Sequence, residues 1–299
     1  MTDNDIPENL LKKMRELPPD WWQSESTAVI LLDLFRRHIV PLLLAGYVER
    51  KFQFTIYTGF LLQHNQNLVW LTAGHAIDEL SSILSSPSFE VSKMVWLDDY
   101  KAAQSEGVPL HRYPPIMKSW KDTNRDVGAI IPSILDTGNI LRNTELQTIN
   151  AEIWKNLKQA NPEGYYAIGF PQPWTQHSQK PAPNNKILHS INANLLCLPL
   201  EEVSPPSELA NLSGWSDPDV FYGKILPFVD NPTFEVDDLK GMSGGPILSI
   251  ERDLDGQIRY RLVGIIQSWA NSQSIVRAEP VHRIAETIDK WLEEKEPNA

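Results

Sequence analysis

Ser243 lies in the stretch Gly241-Met242-Ser243-Gly244-Gly245-Pro246, a serine enclosed by glycines. A serine hydroxyl is a weak nucleophile at neutral pH and needs a nearby base to take its proton as it attacks. Glycines around it let backbone N–H groups crowd the atom under attack. His75, in Leu71-Thr72-Ala73-Gly74-His75-Ala76, supplies an imidazole whose pKa lies in the operating range of such a base. Asp126, in Arg125-Asp126-Val127-Gly128-Ala129-Ile130, supplies a carboxylate that can fix the imidazole tautomer and stabilise the imidazolium that forms. The chemistry open to the three together is acyl transfer, with Ser243 attacking, His75 moving the proton and Asp126 orienting His75.

These stretches, in the order His, Asp, Ser, resemble the trypsin-like (chymotrypsin-fold) serine proteases, whose signatures run T-A-A-H, D-[IV]-A and G-D-S-G-G-P. The likeness spans about Val48 to Ile284, and in detail only the motifs and the strand after Ser243 align. The resemblance implies an oxyanion hole built from the backbone N–H groups of Gly241 and Ser243. It places Asp237 at the floor of the primary specificity pocket, where a carboxylate would favour Arg or Lys before the scissile bond. The run Gly264-Ile265-Ile266-Gln267-Ser268-Trp269 is similar to the family's G-I-V-S-W-G strand, so Gln267, Ser268 and Trp269 are expected along the substrate cleft. There Gln267 replaces the serine that supports the family's aspartate, and Trp269 replaces a wall glycine, narrowing the pocket. Met242 stands where the trypsin branch has the aspartate that receives a new N-terminal amine after zymogen cleavage, so that switch is not expected here.

Gly241 to Gly245 also satisfies G-x-S-x-G, the nucleophile elbow of α/β-hydrolases. In that fold the acid and histidine follow the serine in sequence, and a helix starts straight after it. Only His282 follows Ser243, and Pro246–Ile250 with Ile258–Ile266 reads as a β-hairpin. An esterase-type hydrolase is therefore the weaker alternative. A protease-like scaffold that binds peptides without cutting them is the other, because triad residues do not by themselves form an oxyanion hole.

The elements that must position these residues read mainly as short strands. Phe52–Tyr57 alternates with period two, Gly59–Leu62 and Leu68–Leu71 flank a turn, and Tyr165–Phe170 and Lys186–Leu188 are bounded by turn residues. The polar segments 171–185 and 202–218 read as surface loops. Apolar positions Val29, Ile30, Leu32, Leu34 and Phe35 suggest an amphipathic helix over about Ser26–Leu44, ending near Pro41. Ile284, Ile288 and Leu292 mark a C-terminal helix over about 281–295. The expected organisation is thus a helical extension over 1–45 and a trypsin-like peptidase domain over 46–299. The fold class is mainly β, with two antiparallel β-barrels and the triad in the cleft between them.

Composition bounds the rest. A chain of 299 residues, 41% apolar, can bury a substantial core. The single cysteine, Cys197, excludes an intrachain disulfide, and the acidic start Met1-Thr2-Asp3-Asn4-Asp5 lacks the pattern of a secretory signal, so a cytoplasmic location is expected. The apolar stretch from Ala28 to Tyr47 is interrupted by Asp33, Arg36, Arg37, His38 and Pro41, which argues against a membrane span. A net charge of −11 argues against nucleic acid as a partner. His38, His64, His111, His177, His189 and His282 show no metal-binding spacing, so neither metal nor cofactor is expected. The expected partners are a protein or peptide substrate and a regulatory protein.

Overall fold

The computed structural model describes residues 20–64, 67–96, 108–109, 118–132, 146–150, 154, 162–182, 186–212, 214–234, 236, 238–252 and 258–293. It is mainly β and has two lobes. In the N-terminal lobe, strands β1 (Leu42–Val48), β2 (Lys51–Tyr57), β5 (Phe89–Trp96) and β6 (Val108–Pro109) form one sheet in the order β2-β1-β5-β6. Strands β3 (Phe60–His64), β4 (Asn67–Ala73), β7 (Lys118–Asp122) and β8 (Val127–Ile131) form a second, in the order β3-β4-β8-β7. Leu42, Leu44, Met94 and Trp96 from the first sheet share a buried cluster with Leu61, Trp70 and Ile130 from the second.

The C-terminal lobe is a closed antiparallel barrel. Its strands are β9 (Gly164–Gly169), β12 (Leu196–Glu202), β13 (Phe221–Ile225), β14 (Pro246–Arg252), β15 (Ile258–Ala270) and β16 (Ile275–Pro280), in the order β12-β13-β16-β15-β14-β9. Closure removes the free edges along most of the sheet. Ile266 still bonds to Gly244 and Gly245, but beyond it β15 has β16 as its one ladder partner among the described residues, so the segment from Gln267 to Ala270 has an outer edge that no described strand covers. Strand β14 starts directly after the Ser243 loop and pairs with β15, the hairpin expected from sequence.

Two readings of the sequence are corrected. The N-terminal helix covers Glu25–Phe35, not Ser26–Leu44; Ser24 caps it by accepting Thr27 N–H at 3.1 Å, its Thr27, Ala28, Leu31, Leu34 and Phe35 are buried, and the helix packs on β12. Leu42–Ala45 belongs instead to β1, between β2 and β5 and buried throughout, so its uninterrupted apolar run carries no strand alternation. The polar segment after Pro171 contains half of a hairpin, β10 (Gln176–Ala182) paired with β11 (Lys186–Asn192), where a loop was expected.

The C-terminal helix, Val281–Glu293, follows β16 without a gap and crosses back to the N-terminal lobe. Its Ile284, Ile288 and Trp291 are buried, and the Trp291 ring stacks on Trp120 of β7 with centroids 5.9 Å apart. Asp289 meets His64 of β3. No described helix is long and apolar enough to cross a membrane.

Candidate active site

His75 sits in the first turn of the helix Gly74–Ser85, which begins where β4 ends. The first backbone N–H groups of a helix lack intrahelical acceptors. Asp126, in the turn between β7 and β8, fills that role: its carbonyl accepts from Gly74 N–H at 2.9 Å and its Oδ1 from His75 N–H at 2.8 Å. Its second oxygen, Oδ2, lies 2.9 Å from His75 Nδ1. One carboxylate therefore holds both the backbone and the ring of His75, and its charge is favourable at a helix N-terminus. The hydrogen bond that His75 donates to Asp126 raises the His75 pKa above its ordinary value; burial opposes the rise, and the charges of Asp126, Glu79 and Asp78 add to it. With Nδ1 as donor to Asp126, Nε2 is the nitrogen free to accept a proton. The His75 side chain is 52% exposed and that of Asp126 31%, which leaves the imidazole accessible from the cleft.

Ser243 lies in a tight turn closed by Gly245 N–H donating to Met242 carbonyl at 2.9 Å. Gly244, at φ 91°, occupies the third position of that turn, where a side chain would be strained. A Cβ there would come within 2.9 Å of Ala73 N and nearer still to Thr72 Oγ1 and the Thr58 carbonyl. The loop thus presses directly on the end of β4, next to Gly74 and His75. Gly241, at φ 97°, is equally constrained: a Cβ would meet the Phe170 carbonyl at 2.8 Å and Gln172 N at 2.9 Å.

Around Ser243 the amides divide into two sets. Met242, Gly244 and Gly245 N–H donate to the carbonyls of Leu239, Ile266 and Met242, whereas Gly241 and Ser243 N–H donate to no described residue. These two are the amides that the family resemblance singled out. Thr58, wholly buried at the end of β2, ties the loop to the other lobe: its hydroxyl donates to the Gly241 carbonyl at 2.6 Å and accepts from Phe170 N–H at 3.0 Å.

The Ser243 hydroxyl donates to the Gln267 carbonyl at 3.1 Å. His75 is not its partner in this resting arrangement; catalytic contacts of this kind often tighten only with substrate bound. Gln267 differs from expectation in how it takes part. A register shift between Ile266 and Ser268 turns its side chain inward, so it is 2% exposed and offers the cleft its carbonyl alone. Its Nε2 donates to the Arg125 carbonyl, one residue before Asp126, and its Oε1 accepts from Arg277. Nothing in the sequence marked Arg125 or Arg277; both contacts depend on that shift. Ser268 and Trp269 remain partly exposed on the open edge of β15. Trp269 also lines a cavity of about 470 Å³, with Leu198, Ile225, Phe234, Val236 and Asn271 among its walls. Asp237 lies outside the described residues. Among those described, no group of three or more His, Cys, Asp or Glu is placed to hold a metal ion.

No family model matches the chain, and no curated protein matches it. Solved structures that align with it include serine proteases. Kallikrein-related peptidase 10, in complex with Zn2+, is 16% identical with a TM-score of 0.47, covering 87% of this chain and 97% of that one. The protease Anisep from Arthrobacter nicotinovorans is 11% identical with a TM-score of 0.38, covering 82% and 90%. A protein named GrC is 12% identical with a TM-score of 0.49, covering 86% and 95%. Overlaps this loose transfer no role to any residue, and the chemistry rests on the atoms of this chain.

Proposed function

We propose that the protein is a serine endopeptidase, hydrolysing peptide bonds through Ser243, His75 and Asp126. The observation that carries the reading is the paired use of Asp126, which fixes both the backbone and Nδ1 of His75 while the glycine turn holds Ser243 against the end of β4. In the reaction, Ser243 Oγ attacks the scissile carbonyl and its proton passes to His75 Nε2. The bond order of that carbonyl falls to one, and the negative charge on its oxygen is met by the N–H groups of Gly241 and Ser243. Collapse breaks the C–N bond, and the leaving amine takes the proton from His75. Water, deprotonated by the same imidazole, then attacks the acyl-enzyme and releases the carboxylic acid and Ser243.

The open outer edge of β15 supports a peptide rather than a small ester as substrate. An extended chain can add there as a further strand, with backbone bonds supplying affinity along Ser268 and Trp269. The cavity beside Trp269 would then take one of its side chains. The swing of the Ser243 hydroxyl from Gln267 toward His75 accompanies substrate entry.

One observation favours the second reading, a peptide-binding scaffold without hydrolysis: the hydroxyl is bonded to Gln267 and not to His75. Incubation with a random peptide library, read by mass spectrometry, separates the two. Cleavage products that vanish in Ser243→Ala support the endopeptidase; retention of intact peptides, equal in wild type and Ser243→Ala, supports the scaffold.

A further inference from the structure

Asp126 adopts φ 48°, in the sparsely populated left-handed region, and an L-residue keeps such a conformation when its surroundings impose it. Its own contacts all run forward, to Gly74 and His75. What holds it from behind is Arg125, which is tied through its backbone N–H, its carbonyl and both terminal guanidinium nitrogens, with Nε 3.9 Å from Asp122 Oδ2. Its backbone N–H donates to Asp122 Oδ1 at 3.2 Å, and its carbonyl accepts from buried Gln267. The guanidinium reaches across to the C-terminal helix. There Nη1 donates to the Arg283 carbonyl at 2.6 Å and to Thr287 Oγ1 at 3.1 Å, and Nη2 lies 3.5 Å from Glu286 Oε2.

The helix end of this tether is itself fixed. Arg283 binds Asp217 at 2.8 Å and Asp219 at 3.1 Å in the loop before β13, and lies 3.7 Å from the buried carboxylate of Glu279. Glu279 Oε2 faces Gln267 Nε2 at 3.5 Å, and Arg277 binds Gln267 Oε1 and the Gly214 carbonyl. The guanidinium contacts from the helix and the carbonyl contact from β15 therefore converge on one residue, directly ahead of the carboxylate that orients His75.

We infer that Arg125 is a positioning residue, and that the C-terminal helix acts on the catalytic centre through it by holding Asp126 in register with His75. This rests on the endopeptidase reading for its meaning, but the geometry it asserts concerns His75 and Asp126 alone. Loss of the Arg125 tether leaves the peptide before Asp126 free to relax out of the left-handed region. The Asp126–His75 bond then lengthens, and the support that this bond gives the protonated imidazole is reduced.

The test uses the full chain and two readouts. One is the NMR pH titration of the His75 ring; the other is the rate at which a fluorophosphonate modifies Ser243, resolved into a maximal rate and an apparent affinity. For Arg125→Ala the expected result is a His75 midpoint displaced to lower pH, with the maximal rate about tenfold lower and the affinity within twofold of wild type. Arg125→Lys keeps one donor toward the Arg283 carbonyl and restores part of both. Thr287→Val removes one acceptor of Arg125, together with that hydroxyl's own bond to the Arg283 carbonyl, and gives a smaller shift in the same direction, which keeps the test decisive if Arg125→Ala does not fold. Lys290→Ala, exposed on the same helix, changes neither. A His75 midpoint unmoved in folded Arg125→Ala or Thr287→Val overturns the inference, whatever happens to the rate. If wild type is never labelled, the endopeptidase reading fails, and the titration still decides the role of Arg125.

Discussion

Thr58→Val offers a nearly isosteric way to cut the link between the two lobes at the site. The threonine is wholly buried, and its hydroxyl serves two groups at once, donating to the Gly241 carbonyl at 2.6 Å and accepting from Phe170 N–H at 3.0 Å. Valine keeps the shape and removes both bonds. Phe170 N–H is buried and is left without an acceptor, at a cost of about 1–3 kcal/mol; the Gly241 carbonyl is half-buried and can take water, so its loss is nearer about 0.5–1.5 kcal/mol. The expected destabilisation is about 2–4 kcal/mol, read as a lower midpoint in urea at unchanged slope. Function should suffer separately, because the same hydroxyl steadies the Gly241 loop that supplies an oxyanion donor. If half of one donor's roughly 3 kcal/mol is forfeited, kcat falls about tenfold. Thr58→Ser retains the hydroxyl and should recover most of both quantities. A Thr58→Val protein within about 0.5 kcal/mol of wild type, with unchanged turnover, would refute the view that this bond organises the loop.

Two further outcomes follow from the same geometry. Because Asp126 raises the His75 pKa, the imidazole becomes base-competent only above its ordinary value of 6.5, so the acid limb of kcat/KM should lie above that pH. Asp126→Asn should bring the limb down and cost about 10²–10⁴-fold in rate. The same shift stabilises the fold below pH 6.5 and fades as pH rises through the elevated value, an effect that a urea midpoint series across pH 5–9 would reveal in wild type and not in His75→Ala. Gly244→Ala places a methyl group against Ala73, Thr72 and Thr58 at φ 91°, with strain and overpacking of about 1–3 kcal/mol each; a variant with wild-type melting temperature and activity would show that the loop does not press on β4 as described.

Much of the frame was legible because burial on one face writes itself as alternation, as at the start of β2 over Lys51–Phe54, and because glycine positions such as Gly241 and Gly244 report the backbone they must allow. Ser243, His75 and Asp126 were singled out by their local stretches and by the family resemblance, and the structure sets Asp126 against His75 and the Ser243 loop against the end of β4. What escaped was whatever depends on pairing between distant segments. Leu42–Ala45 sits between two neighbouring strands and is apolar throughout, so it carried no period to separate strand from helix. Strand β10 is exposed and polar along most of its length, and its Pro181 read as a loop marker. His177 of β10 and His189 of β11 meet at 3.0 Å and lie against Phe52 of β2, a contact between lobes that no spacing announces. The role of Gln267 turned on a one-residue register shift, which reversed the face its side chain occupies.

The most direct test of the central claim is fluorophosphonate labelling of the wild-type protein, with mass mapping of the modified residue and Ser243→Ala and His75→Ala alongside. The account predicts a single adduct on Ser243, absent in Ser243→Ala and strongly reduced in His75→Ala, as an activated hydroxyl requires. Folded wild-type protein that takes up no label, or labels equally well without His75, would contradict it.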